Sequence, residues 1–240
     1  MIFLLKVCVV VPTYNERENI SPLVESVKSV GVEGLQLLFV DDSSPDGTSE
    51  EVARVASKED WVRLLRRDRK KGIGSAYLDG FREAISSVSP DVLIEMDGDM
   101  QHPPSKIPEL LSELERGADA AVASRYVPGG GVSGWGFWRS VVSRGANWYA
   151  RKLLGLKVRD CTSGFRAYTR RAAESLLDST LPTSGFAFQV AALFQLKRQG
   201  MSVSETPFVF ELRRAGRSKL SLAEGVEFFI AVLRLRFGLF

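Results

Sequence analysis

Two rhythms of apolar residues alternate through the first half of the chain. Short, mostly β-branched runs at Lys6–Thr13, Leu35–Asp41, Val62–Arg66, Val92–Met96 and Ala118–Ser124 predict strands. Between them, apolar residues spaced three and four apart predict helices over Ser21–Val30, Thr48–Ser57, Gly74–Val88 and Ile107–Arg116. Runs such as Val7–Val11, apolar at every position, suit a sheet covered on both faces. The alternation implies an α/β domain, Rossmann-like and doubly wound, with a mostly parallel sheet. Such sheets bind ligands beyond the carboxyl ends of their strands. The polar clusters fall there: Thr13-Tyr14-Asn15-Glu16, Asp41-Asp42-Ser43-Ser44, Asp97-Gly98-Asp99 and Ser124-Arg125 follow the first, second, fourth and fifth strands.

After Arg125 the pattern changes. Gly129-Gly130-Gly131 predicts a flexible loop, and Gly136–Leu154 a helix. Helices follow near Arg170–Leu177 and Ala187–Arg198, then short strands at Ser202–Glu205 and Phe208–Glu211 and a closing helix over Leu222–Phe237. In the Gly136–Leu154 helix, Phe137, Trp138, Val141, Val142, Trp148, Tyr149 and Leu153 share one side, and Arg139, Ser140, Ser143, Asn147 and Arg151 lie roughly opposite. Trp, Tyr and Arg on an amphipathic helix suit a membrane surface. The closing helix repeats the theme with Leu222, Val226, Phe229, Ile230, Leu233 and Phe237. The expected organisation is a catalytic domain over residues 1–220, with an acceptor loop and interfacial helix at 127–155, and an amphipathic C-terminal helix over 221–240.

A chain of 240 residues is long enough for one large core, and its 45% hydrophobic and 25% charged residues are ordinary for a globular protein. The net charge of +3 says little, but its distribution says more. Residues 125–172 hold ten Lys or Arg against one Asp, residues 213–240 hold six against two Glu, and the remainder is acidic. Two basic regions on an acidic protein point to an anionic partner. Nucleic acid is disfavoured, because the cations pair with aromatics instead of forming one stripe. The two cysteines, Cys8 and Cys161, form no CxxC pair, which fits a reducing compartment. No stretch reaches the roughly 18 apolar residues a spanning helix needs.

Asp97-Gly98-Asp99 is the sharpest candidate. Two carboxylates two residues apart at a strand end can reach one site, and a hard dication such as Mg²⁺ or Mn²⁺ takes one or two protein carboxylates plus phosphates. Such an ion would neutralise a diphosphate leaving group. A bare Asp-x-Asp is also common in polar turns. Asp42 is the better nucleotide contact of the second acidic pair, Asp41 the better structural one. Tyr14 offers a face for a base, and Asn15 and Glu16 offer hydrogen bonds. Arg125 can reach a phosphate, and Arg213, Arg214, Arg217 and Lys219 can grip a diphosphate or simply form a solvated basic loop. Lone His102 makes a zinc site improbable.

Together, Val11-Pro12-Thr13-Tyr14-Asn15-Glu16, Val40-Asp41-Asp42-Ser43-Ser44-Pro45-Asp46-Gly47-Thr48, Met96 through Pro104 and Ser124-Arg125-Tyr126 resemble the family 2 inverting glycosyltransferases of the GT-A fold. Asp160-Cys161-Thr162-Ser163-Gly164-Phe165-Arg166-Ala167-Tyr168 and Gly216-Arg217-Ser218-Lys219-Leu220 are similar to dolichyl-phosphate mannose synthases. The resemblance implies GDP-mannose as donor and dolichyl or another polyprenyl phosphate as acceptor. It implies that Pro12, Tyr14, Glu16, Val40 and Asp42 hold the nucleotide, that Asp97, Asp99 and Gln101 bind the metal, and that Gly98 backs the diphosphate. It places Arg125, Arg213 and Lys219 near the phosphates. It further implies a peripheral protein on the cytosolic side of a membrane (endoplasmic reticulum in a eukaryote, plasma membrane in a prokaryote). The chain resembles the catalytic-only form, anchored by a small partner subunit or by its own surface. Two rivals stay open: transfer of another sugar, such as glucose from UDP-glucose, and a non-catalytic nucleotide-sugar-binding protein.

Overall fold

The computed structural model describes residues 5–182, 185–211 and 222–239, the side chains of 222–224 excepted. Its first half alternates strands β1 (Val7–Thr13), β2 (Gln36–Asp41), β3 (Val62–Arg66), β4 (Val92–Glu95) and β5 (Ala120–Ser124) with helices α1 (Arg17–Lys28), α2 (Thr48–Ala56), α3 (Ile73–Ser87) and α4 (Ile107–Glu115). The second half adds β6 (Gly131–Ser133), α5 (Phe137–Leu154), β7 (Arg166–Thr169), α6 (Arg170–Leu177), α7 (Gly185–Arg198), β8 (Val203–Pro207), β9 (Val209–Glu211) and α8 (Leu222–Phe237).

The main sheet has the order β3-β2-β1-β4-β7-β5-β8. Strands β1 to β4 pair parallel, as do β5 and β8, and β7 alone runs against both its neighbours. This is the expected doubly wound, mostly parallel sheet. Its winding reverses between β1 and β4, which opens a crevice at their carboxyl ends. Both Thr13-Tyr14 and Asp97-Gly98-Asp99 leave the sheet there.

Each face is covered. Val7, Val9, Val11, Phe39 and Ile94 pack under α1, α2 and α4, while Val10, Leu38, Val40 and Leu93 pack under α3, α6 and α7. Helix α3 approaches β1 and β2 so closely that a Cβ on Gly80 would collide with Val10 and Val40. A third cluster joins α5, α7 and α8 through Ala150, Leu154, Val190, Leu193, Phe228 and Val232.

Three local differences from the sequence expectation have physical causes. Helix α1 starts at Arg17, not Ser21. Pro22 reads as a first-turn residue, but the earlier turn is capped from outside: the Glu16 amide donates to Thr48 Oγ1 and the Arg17 amide to Asp46 Oδ2. Strand β7 has four residues and begins with an arginine, so it carries no alternation to read. The glycine-rich loop contains β6, which is held by parallel pairing to β9.

Candidate active site

The donor half grows from the ends of β1, β2 and β3. Asp41 is fully buried and accepts hydrogen bonds from Thr13 Oγ1 (3.1 Å), Ser44 N (3.0 Å), Ser44 Oγ (2.6 Å) and Ser49 Oγ (2.6 Å). Its lone pairs are therefore spent on shaping the loop. Asp42 lies beside it, 3.1 Å from Arg67 Nη1, and Arg67 Nε lies 3.3 Å from Asp79. These are ion pairs without hydrogen-bond geometry: Asp42 Oδ1 and Arg67 Nε and Nη1 are buried and make no hydrogen bond. Burial pushes the Asp42 carboxyl upward, against the pull of Arg67. Arg67 was missed from sequence, hidden among exposed cations, yet it is only 5% exposed.

Tyr14 stands at the edge, 36% exposed, with Lys70 Nζ 4.3 Å from its ring centroid. Asn15 occupies the left-handed region at φ 60°, and its amide donates to Ser44 Oγ (3.0 Å). Glu16 Oε2 accepts from Asn19 Nδ2 (2.5 Å). The Val40 side chain lies in the core, so only its backbone can serve a ligand; its carbonyl accepts from Thr13 Oγ1 at 3.5 Å. Pro12 and Gly98 face each other: a Cβ on Gly98 would meet Thr13 and Val11 at 3.3 Å and the Pro12 carbonyl at 3.5 Å.

The carboxylate loop follows β4. Asp97 Oδ1 accepts from Tyr77 Oη (3.0 Å), and the Asp97 amide donates to His102 Nδ1 (3.0 Å). His102 therefore carries its proton on Nε2, which lies 3.7 Å from Asp97 Oδ2. Its ring is buried and stacks on Phe165 with centroids 5.1 Å apart. The lone histidine thus fixes this loop. Asp99 Oδ1 accepts from the Gln101 amide (3.0 Å), across Met100 at φ 64°. Gln101 Nε2 donates to the Glu211 carbonyl (3.0 Å), which leaves only its side-chain oxygen to ligate a metal. Among the described residues, no three His, Cys, Asp or Glu side chains converge on one point. Two half-buried carboxylates still fit Mg²⁺ or Mn²⁺, which complete their shells with phosphate and water.

Behind this loop, Glu95 is fully buried between Tyr168 Oη (3.2 Å) and Gln189 Nε2 (3.0 Å), and burial pushes its carboxyl up to about 7. Arg166 is buried too and donates to the carbonyls of Ser163, Gln189 and Cys161. It thereby clamps the 160–165 turn against α7.

The second half of the site carries positive charge. Arg125 binds buried Asp160 through Nε (2.7 Å) and Nη2 (2.7 Å), and its amide donates to the same carboxylate (2.9 Å). Burial opposes the Asp160 charge, but Arg125 outweighs it and holds the carboxyl below its ordinary range. The Arg125 guanidinium also faces the rings of Tyr126, Trp135 and Phe210 at 5.3, 5.5 and 5.8 Å. Arg139 lies over Trp135 at 4.2 Å. Burial and the charge of Arg125 both lower the Arg139 pKa. Arg139 Nε and Trp135 Nε1 are buried without hydrogen bonds. Two mutually repelling guanidiniums and an unpaired indole N–H thus cluster about one ring, a cradle whose chemistry suits an anion.

Arg139 was assigned from sequence only to the polar side of α5, and Trp135 and Asp160 were given no role. An arginine four residues after a tryptophan is the available signal. Arg213 and Lys219, with Arg214 and Arg217, lie outside the described residues.

The sequence model of glycosyl transferase family 2 matches residues 8–177. The chain belongs to glycosyl transferase family 2. It is 41% identical over 214 residues to a polyprenol monophosphomannose synthase of Mycolicibacterium smegmatis, covering 89% of this chain and 80% of that protein. It is 38% identical over 236 residues to a dolichol-phosphate mannosyltransferase of Pyrococcus furiosus, covering 96% of this chain and 64% of the relative. An undecaprenyl-phosphate mannosyltransferase of Micrococcus luteus is 38% identical over 217 residues, 90% of this chain and 88% of its own. Among solved structures, glucosyl-3-phosphoglycerate synthase of Mycobacterium tuberculosis with Mn²⁺, UDP-glucose and phosphoglyceric acid shares the fold. Its TM-score is 0.69 at 22% identity, over 98% of this chain and 80% of that one. The mixed sheet is thus the GT-A sheet of family 2.

The family 2 fold here carries an inverted helix. In α5, Asn147, Ala150 and Leu154 face the protein, while Phe137, Trp138, Val142 and Trp148 are exposed. Helix α8 lies beside it, with Tyr149 and Phe229 rings 4.8 Å apart, and exposes Val226, Phe229, Ile230, Leu233 and Phe237. The Leu222 side chain lies outside the described ones. Among the described residues no helix is long and apolar enough to cross a membrane.

Proposed function

We propose that this family 2 glycosyltransferase moves mannose from GDP-mannose to dolichyl or another polyprenyl phosphate, with inversion, giving a β-mannosyl phosphate lipid and GDP. One observation carries the reading. The crevice where the winding reverses holds two carboxylates, and a separate cationic group, Arg125 and Arg139 about Trp135, includes two buried donors without a hydrogen bond, Arg139 Nε and Trp135 Nε1, which suit an anion. An activated diphosphate sugar and a phosphate acceptor are the pair of ligands this combination suits. The names of the relatives point the same way.

The chemistry follows from charge. Asp97 and Asp99, with the Gln101 oxygen, would hold Mg²⁺ or Mn²⁺, which supplies positive charge to the diphosphate. Asp42 and Arg67 set an acceptor beside a donor, which suits a base edge with an N–H next to a C=O, as in guanine or uracil. Tyr14 offers its face to the base, Asn15, Glu16 and the backbone of Pro12, Val40 and Gly98 line its path, and Arg213 and Lys219 grip the diphosphate. Arg125 and Arg139 hold the acceptor phosphate, whose second pKa near ~6 leaves it anionic at neutral pH. An acceptor oxygen attacks the anomeric carbon as the bond to the diphosphate oxygen breaks. No general base is needed, so alignment and charge neutralisation carry the rate.

The exposed aromatic faces of α5 and α8 lie on the membrane surface, with Arg144, Lys152, Arg234 and Arg236 beside them for anionic headgroups. This makes the protein peripheral on the cytosolic side, with or without a small anchoring subunit. The test is transfer from labelled GDP-mannose and UDP-glucose to a short polyprenyl phosphate, with Mg²⁺, Mn²⁺ or a chelator. Metal-dependent mannosyl transfer is expected. Glucosyl transfer instead would reassign the donor, and nucleotide-sugar binding without turnover would favour a non-catalytic binding protein.

A further inference from the structure

Among the described residues, Phe210 is the one ring in contact with both His102 and Trp135. It sits half-buried in β9, which pairs with β6 at Val132. On one side it stands edge-on to His102, with centroids 6.5 Å apart and planes at 71°. On the other it stands edge-on to Trp135, at 5.6 Å and 71°. These are favourable edge-to-face geometries. His102 is itself fixed, stacked on Phe165 and bonded to the Asp97 amide. Trp135 lacks the hydrogen bond that fixes His102. Its indole N–H is unpaired, and the α5 turn that follows it turns Phe137 and Trp138 to solvent. The buried residues of α5 begin only at Asn147. The ring contacts of Trp135 are with Phe210 and with the two arginines, the Arg139 guanidinium lying 4.2 Å from the ring centroid.

We propose that Phe210 is a positioning residue for the acceptor: it transmits the fixed geometry of the carboxylate loop through Trp135 to Arg139. This rests on the reading that the Arg125–Arg139 cradle holds the acceptor phosphate. Gln101 reinforces the link, because its side-chain amide bonds the carbonyl of Glu211, the residue after Phe210. The role predicts a split between substrates. Losing the ring loosens Arg139 and leaves the nucleotide side alone.

The test compares wild type, Phe210→Leu, Phe210→Tyr, Arg139→Ala and the Phe210→Leu/Arg139→Ala double variant, using GDP-mannose and a short-chain polyprenyl phosphate. Phe210→Leu should raise acceptor KM about three- to tenfold, the scale of one aromatic contact, with donor KM within about twofold of wild type. Phe210→Tyr, which keeps the ring edge, should restore it. Because Phe210 acts through Arg139, the double variant should lose little more than Arg139→Ala alone. Additive losses, an unchanged acceptor KM in Phe210→Leu, or equal rises in both KM values would overturn the proposal. If Arg139→Ala weakens the acceptor and Phe210→Leu does not, only the role of Phe210 fails. If Arg139→Ala leaves acceptor binding intact in an active enzyme, the cradle reading itself fails and takes this one with it.

Discussion

Asp41 and Arg139 are both charged, and the fold treats them in opposite ways. Asp41 is fully buried, and Thr13, Ser44 and Ser49 satisfy its oxygens. Arg139 has a buried Nε with no partner and a neighbouring guanidinium that disfavours its charge. The strand-end half settles Asp41 within the chain, yet it too holds buried atoms without a hydrogen bond, Asp42 Oδ1 and Arg67 Nε and Nη1. In the loop-and-helix half, Arg139 Nε and Trp135 Nε1 stay buried without a hydrogen bond. On the proposed reading, an acceptor phosphate would pair the free donors of the cationic half, whereas the loop around Asp41 is set before any ligand arrives.

The largest expected effect tests how far the cationic half depends on one internal carboxylate. Asp160→Ala strands buried Arg125 and should cost about 3–5 kcal/mol of stability, read by urea unfolding. The pH sign follows from the lowered Asp160 pKa. Its pairing stabilises the fold above the unfolded carboxylate range and is lost as acid protonates the folded group. Asp160→Asn should therefore flatten the acid limb of the stability profile. An unchanged limb would mean that the Arg125 pair contributes nothing net.

The two halves also differ in how much the sequence disclosed. Val7–Val11 is an unbroken apolar run, Val92–Met96 is interrupted only by Glu95, and a polar cluster follows each, so their pattern places both the strands and the site at their tips. The cationic half has no such grammar. Arg125 falls at a strand end and is legible, but its partner Asp160 is 35 residues away and is brought to it by the 160–165 turn and antiparallel β7. Arg67 and Arg139 look like their exposed neighbours until packing separates them. His102 read only as a poor metal ligand, because its role is a bond to a backbone amide. Charge at a strand tip can be read from one dimension; charge selected by burial cannot.

Next in size is the carboxylate loop. Asp99→Ala should lower transfer by at least about a hundredfold, the loss expected when leaving-group charge is no longer neutralised. The melting temperature should hold, since Asp99 is only half-buried, in a loop beyond the end of β4. A chelator should reproduce the loss in wild type. Retained turnover in Asp99→Ala, or indifference to chelation, would remove the metal from the reading. On the other half, Arg139→Ala should raise acceptor KM about tenfold, the scale of one charge-assisted hydrogen bond, and leave donor KM unchanged. Equal effects on both substrates would erase the division between the halves.

The smallest effect concerns the outer rim of the cationic half, where α5 presents rings to solvent. Trp138 is 76% exposed, on the helix that carries Arg139 one residue later. A ring seated at a bilayer surface is only partly buried. Fully burying a large side chain is worth roughly 1.5–3 kcal/mol, so Trp138→Ser should weaken binding to anionic vesicles on the order of fivefold. Turnover of a short, water-soluble polyprenyl phosphate should not change, because Trp138 takes no part in holding the phosphate. Vesicle sedimentation beside a solution assay separates the two. Loss of vesicle binding with full solution turnover would make the rim a membrane contact continuous with the acceptor cradle. Unaltered vesicle binding would mean that something other than lipid covers this face, and the unfinished half of the site would then be completed by the acceptor headgroup alone.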